Sequence, residues 1–234
     1  MNDPAPPFAA LDDILRQTRH LLLDFDGPVC DLWAGHPAAL AADQLRKLLT
    51  DQDIQLPDTI ATTADPLAVL SYAAAVSPDL TATAEADLTD LELSAVPTAQ
   101  PPGYANDAIT SARASGRTVT VISSCSERAV NAYLARSSLD GQVALVVART
   151  THEPHPVASL IEHAITALQA YPAACMLVTS SPAIIDAANA AGIRTIAYAP
   201  TPSDHERLAD TQPSAVISSL ADLVLRLRAR PLPN

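Results

Sequence analysis

Asp24 and Asp26 stand one residue apart after the apolar run Leu21, Leu22 and Leu23, with Gly27 next and a third acid at Asp31. A short buried strand ending this way carries two carboxylates to its carboxyl end, where α/β sheets bind their ligands. Acids at that place suit a cation or proton chemistry. One carboxylate can attack a phosphate whose charge a cation neutralises, while a second within reach protonates the leaving oxygen. The same D-x-D-G also suits a solvated turn after a strand, since Asp and Gly are ordinary turn residues.

The elements that must position these acids are legible in the hydrophobic pattern. A short helix over 8–19 leads into a strand at 20–25. The segment 33–98 has apolar residues at helical spacing and almost no β-branched runs, which predicts an all-helical insertion. Pro101, Pro102 and Gly103 close it, and helix and strand then alternate. Strands are expected at 118–122, 143–147, 175–179, 195–199 and 215–219, with helices over 104–115, from about 126, through PHPVASLIEHAITALQA, over 182–192 and over 219–230. Strands separated by helices imply a parallel sheet. The expected fold is therefore α/β, a three-layer doubly wound parallel sheet built from 1–32 and 99–234, interrupted by a helical cap at 33–98.

Composition narrows the partners. The 234 residues are 48% hydrophobic and 17% charged, enough for a full core, and there are no internal repeats. The formal net charge of -12 repels nucleic acid and anionic membrane surfaces, so neither is expected as a partner. No apolar stretch approaches the ~20 residues of a membrane span, and the N-terminus lacks a basic region followed by an apolar core; a cytoplasmic location is expected. Cys30, Cys125 and Cys175 read first as small buried residues, with Cys30 and Cys125 close enough to the acids for a reactive thiol to be considered. Lys47 is the only lysine.

The sequence LLLDFDGPVCD resembles the first signature of the haloacid dehalogenase-like (HAD) hydrolases, and the order of elements is similar to that of their phosphatase-like subgroup with a helical C1-type cap. The resemblance implies a three-layer Rossmann-like core, with Asp24 as nucleophile and Asp26 as general acid/base. It also implies Mg2+ as cofactor, held by both, and a small phosphorylated metabolite as substrate. The second signature, a Ser or Thr ending the next core strand, falls on Ser123 with Ser124 beside it. Hydroxyls and N–H groups at a helix start suit a phosphate there, and suit a helix cap equally well.

Two later signatures are altered. The family's phosphate-pairing lysine would stand where the chain has Glu153, in THEPHPVASL. Arg149 is the nearest basic candidate for the phosphate, and it also reads as a surface or sheet-edge arginine, whose reach and geometry differ from a lysine's. Ser180 and Ile184 stand where relatives carry the two acids that complete the magnesium site; Asp186 lies two helical residues away and faces elsewhere. A weakened magnesium site is expected. His152, Glu153 and His155 form a candidate zinc cluster, His36 could enter the cleft or serve as a hinge, and no G-x-S-x-G elbow supports a Ser–His–Asp triad. Three readings stay open: a weak phosphatase, an inactive binding or regulatory protein on the same scaffold, and a pocket that uses Asp24 or Asp26 in other chemistry.

Overall fold

The computed structural model describes residues 9–149 and 157–232. Strands β1 (His20–Asp24), β2 (Thr118–Ser126), β3 (Leu145–Arg149), β4 (Cys175–Thr179), β5 (Arg194–Tyr198) and β6 (Ala215–Ile217) form one parallel sheet. Their order is β3-β2-β1-β4-β5-β6. The chain moves from β1 to one side of the sheet and then returns to place β4 on its other side. That reversal makes the carboxyl ends of β1 and β4 the crevice of a doubly wound fold.

Side chains alternate across the strands with period two, and both faces are covered. Leu21, Leu23, Val119, Val121, Met176 and Val178 enter one core, while Leu22, Ile122, Cys175 and Leu177 enter the other. The helices are α1 (Ala9–Gln17), α2 (Ala38–Thr50), α3 (Asp58–Thr62), α4 (Pro66–Val76), α5 (Pro78–Ala95) and α6 (Ala105–Ala114), followed by α7 (Glu127–Arg136), α8 (Val157–Leu168), α9 (Pro182–Ala190), α10 (Pro202–Arg207) and α11 (Leu220–Ala229). The first core is closed by α1, α6, α7 and α11, the second by α8 and α9, which gives the expected three-layer sandwich.

The largest departures from the expected strands are in β2 and β3, the others differing by at most two residues at their ends. β2 runs on through Ser126, four residues past the expected end, with its register against β3 shifting between Ser123 and Ser126. β3 begins at Leu145 instead of Val143, because Gln142 and Val143 turn back to donate to the carbonyl of Leu139, at 2.9 and 3.2 Å. Turn hydrogen bonds satisfy that stretch of backbone before the ladder can.

Between β1 and α6 the chain forms the helices α2 to α5 and a 3-10 turn at Val96–Thr98. These helices bury an apolar cluster of their own, including Leu45 and Leu49 of α2, Val69 and Leu70 of α4, and Ala84 and Leu88 of α5. Trp33 packs against both this cluster and the sheet's first core. Helix α4 starts at an Asp65 cap, whose side chain accepts from Leu67 N at 2.9 Å, with proline at the first helical position. No helix among the described residues is long and apolar enough to cross a membrane.

Candidate active site

The end of β1 is held rigidly. Phe25 is fully buried and meets the edge of Tyr133 with ring centroids 5.4 Å apart, and the Tyr133 hydroxyl donates to the Val29 carbonyl at 3.3 Å. Cys30 N donates to the carbonyl of Phe25 and Gly27 N to that of Cys30, both at 2.9 Å. Gly27 sits at φ +103, and a Cβ there would lie 2.3 Å from Ser180 Oγ. Only glycine lets the loop after β1 turn this way against the loop after β4.

Asp24 and Asp26 open into a cavity of about 790 Å³ beside this turn. Asp24 is 4% exposed, and its Oδ2 accepts from Thr179 Oγ1 at 2.6 Å. Thr179 Oγ1 accepts in turn from Ser181 N at 2.9 Å, so the last residue of β4 orients the last residue of β1. Burial pushes the Asp24 carboxyl up to about 8 against the pull of Thr179, and the Asp26 charge adds to the rise. Asp26 faces the cavity; the protein crowded around it, with the charges of Asp31 and Asp65, pushes its carboxyl up to about 6.

Ser124 lines the cavity, and so do Ser180 and Ile184, the residues expected at the fourth-signature places. Asp186 is exposed and off the cavity, as the helical rotation requires. Ser123 is 2% exposed and does not line it; its Oγ accepts from Cys125 N at 2.9 Å. Arg149 ends the edge strand β3, as a sheet-edge reading expects, but it is neither at the surface nor on the cavity wall. It is 4% exposed, with its guanidinium donating to Glu85 and Glu92 of α5 and its Nε to the Ser124 carbonyl at 2.8 Å. Two carboxylates from the insertion take up the charge that a phosphate would need. Lys47 is bound to Asp51 on the exposed side of α2.

Burial pushes the Cys30 thiol up to about 12 and that of Cys125 well above its usual value, so neither is activated. His36 does not line the cavity. His152, Glu153 and His155 lie outside the described residues. Thr179, Glu85, Glu92, Asp65 and Arg207 were not singled out from the sequence. A threonine closing CMLVT was a signal for the first. Glu85 and Glu92, seven residues apart on one helix, meant nothing until their partner was known. Arg207, the one basic side chain lining the cavity among the described residues, donates to the Ser180 carbonyl and to Asp204.

Solved structures match this arrangement over most of the chain. A predicted phosphatase from Clostridium acetobutylicum superposes with a TM-score of 0.69 at 15% identity, covering 90% of this chain and 98% of its own. The fold is that of the HAD-like hydrolases. CbbY from Rhodobacter sphaeroides, in complex with phosphate, gives a TM-score of 0.64 at 16% identity over 88% of this chain and 96% of its own. The HAD-hydrolase YfnB from Bacillus subtilis, bound to magnesium, gives 0.61 at 18% identity over 90% and 99%. No protein-family model and no curated protein matches the sequence.

In this cavity the donors for a cation are hard oxygens: the carboxylate of Asp24, the oxygens of Asp26 and the hydroxyl of Ser180, which lies against Gly27. Among the described residues no three His, Cys, Asp or Glu side chains are grouped to hold a metal. Magnesium keeps several waters and often takes only one or two carboxylates together with substrate phosphate, so this set fits it in a weakened form.

Proposed function

We propose that the protein is a HAD-type phosphohydrolase of a small phosphorylated metabolite, slow in turnover, with the helical insertion as the cap over its site. The observation that carries this reading is the placement of Asp24 and Asp26 in a cavity at the crevice between β1 and β4, with Thr179 holding one oxygen of Asp24. The other oxygen is the one left to attack.

Asp24 Oδ1 attacks phosphorus, and the bond from phosphorus to the ester oxygen breaks. Asp26 gives its proton to that oxygen, and its raised carboxyl suits a group that must hold and release a proton near neutrality. The Asp26 carboxylate then takes a proton from water as the water oxygen attacks the aspartyl-phosphate. Inorganic phosphate leaves and Asp24 is restored. The Asp24 carboxylate, the backbone carbonyl of Asp26 and the Ser180 hydroxyl would hold a magnesium ion, which when bound would favour the ionised Asp24 and offset the phosphate charge while the Asp26 carboxyl stays free to carry its proton. Ser124, which lines the cavity, offers its hydroxyl to the phosphate.

A second reading, an inactive binding or regulatory protein, is favoured by the charge of the cavity. Asp24, Asp26, Asp31, Asp65, Glu92 and Asp204 line it against Arg207 alone among the described residues. A colorimetric assay with p-nitrophenyl phosphate, with and without Mg2+, separates the two. The hydrolase reading expects slow, Mg2+-dependent release that Asp24→Asn abolishes. No release, together with a melting temperature indifferent to Mg2+, supports the inactive protein.

A further inference from the structure

We propose that Glu92 and Arg149 are positioning residues of the site, which fix the Ser123–Ser126 loop so that Ser124 meets the substrate's anionic group; this rests on the phosphohydrolase reading above. Glu92 is 1% exposed on the inner face of α5 and reaches both the cavity and the loop. Its Oε2 accepts from Ser126 N at 2.7 Å, and its Oε1 accepts from Arg149. Arg149 Nε donates to the Ser124 carbonyl at 2.8 Å. The loop is therefore gripped at Ser124 through its carbonyl and at Ser126 through its amide, by two side chains that grip each other. Cys125, between these points, has its N–H turned onto Ser123 Oγ at 2.9 Å.

The backbone of this wall is thus set by a helix of the insertion. A guanidinium is suited to the task because its planar fork serves several acceptors at fixed angles. Arg149 has no opening to bind phosphate itself and acts through Ser124. Glu85 completes the pairing of Arg149, does not line the cavity and, among the described residues, accepts its hydrogen bond from Arg149 and not from the loop.

That difference provides the test. Removing either glutamate leaves Arg149 with one carboxylate, so Glu85→Ala and Glu92→Ala each keep a neutral buried pair and are expected to fold, with the larger loss in melting temperature in Glu92→Ala, which also leaves Ser126 N without its acceptor. Amide hydrogen exchange at Ser124–Ser126 and calorimetric binding of inorganic phosphate are measured for the wild type, both alanine variants and Glu92→Gln. With one hydrogen bond to the loop lost, Glu92→Ala is expected to speed exchange and weaken phosphate binding about tenfold each, while Glu85→Ala stays within about threefold. Glu92→Gln, whose amide oxygen can still accept from Ser126 N, is expected to recover most of the exchange protection. Equal effects from the two alanine variants, unchanged exchange in Glu92→Ala, or faster exchange with unchanged phosphate binding each overturn the proposal. A wild type that binds no phosphate refutes the hydrolase reading instead, and loop exchange alone then decides whether Glu92 positions the loop.

Discussion

Thr179 governs what Asp24 can do, because it supplies a hydroxyl donor to a carboxyl group that burial otherwise disfavours in its charged form. Its oxygen is shared: it donates to Asp24 and accepts from Ser181 N, so one atom ties the ends of two strands and the start of a loop. Thr179→Val keeps the shape and removes both bonds. Leaving buried polar groups without partners costs about 1–3 kcal/mol, and this variant is expected to lose stability in that range by urea melts. Phosphate turnover should fall with it as Asp24 loses its fixed orientation. Stability equal to the wild type's would show that the Thr179 bond carries little weight.

The element that makes the pocket is the turn after β1, packed against the loop after β4. Gly27 is where the two touch, in a backbone conformation that side chains resist and with Ser180 Oγ in the space a Cβ needs. Gly27→Ala is expected to cost about 1–3 kcal/mol for the left-handed strain alone, and to move the Ser180 loop away from Asp26. A melting temperature within error of the wild type would refute it. The turn was readable as D-x-D-G. The bulged end of β2 was not, because serines read as loop and cap residues, and only the hydrogen bonds from Arg149 and Glu92 draw that stretch alongside β3. The late start of β3 escaped for a similar reason: the apolar Val143 has strand propensity, yet a turn around Leu139 takes its N–H.

Across the whole molecule, the buried acid at the crevice makes folding depend on pH. Asp24 titrates near the ordinary aspartate value of 3.8 in the unfolded chain and at about 8 in the fold, so between these values the folded state holds the extra proton. Its contribution is fully present below about pH 4 and is lost as pH rises to about 8. In chelator-treated protein, urea melts are expected to show Asp24→Asn gaining on the wild type steadily over that window. Parallel profiles for the two proteins would mean that Asp24 ionises freely in the fold.

The sequence by itself determined the alternation of helix and strand, the helical character of the insertion, and the position of two aspartates at a strand's end. These are consequences of local periodicity and of residue types that have few other uses. It also pointed to Ser180 and Ile184 as neighbours of these aspartates, and both line the cavity. Only the tertiary structure decided where Arg149 spends its charge. Its partners come from 57 and 64 residues earlier in the chain, and no local pattern encodes a contact closed over that distance. It likewise decided that Thr179 sits on Asp24 across 155 residues, since that pairing exists only once β1 and β4 lie side by side in the sheet.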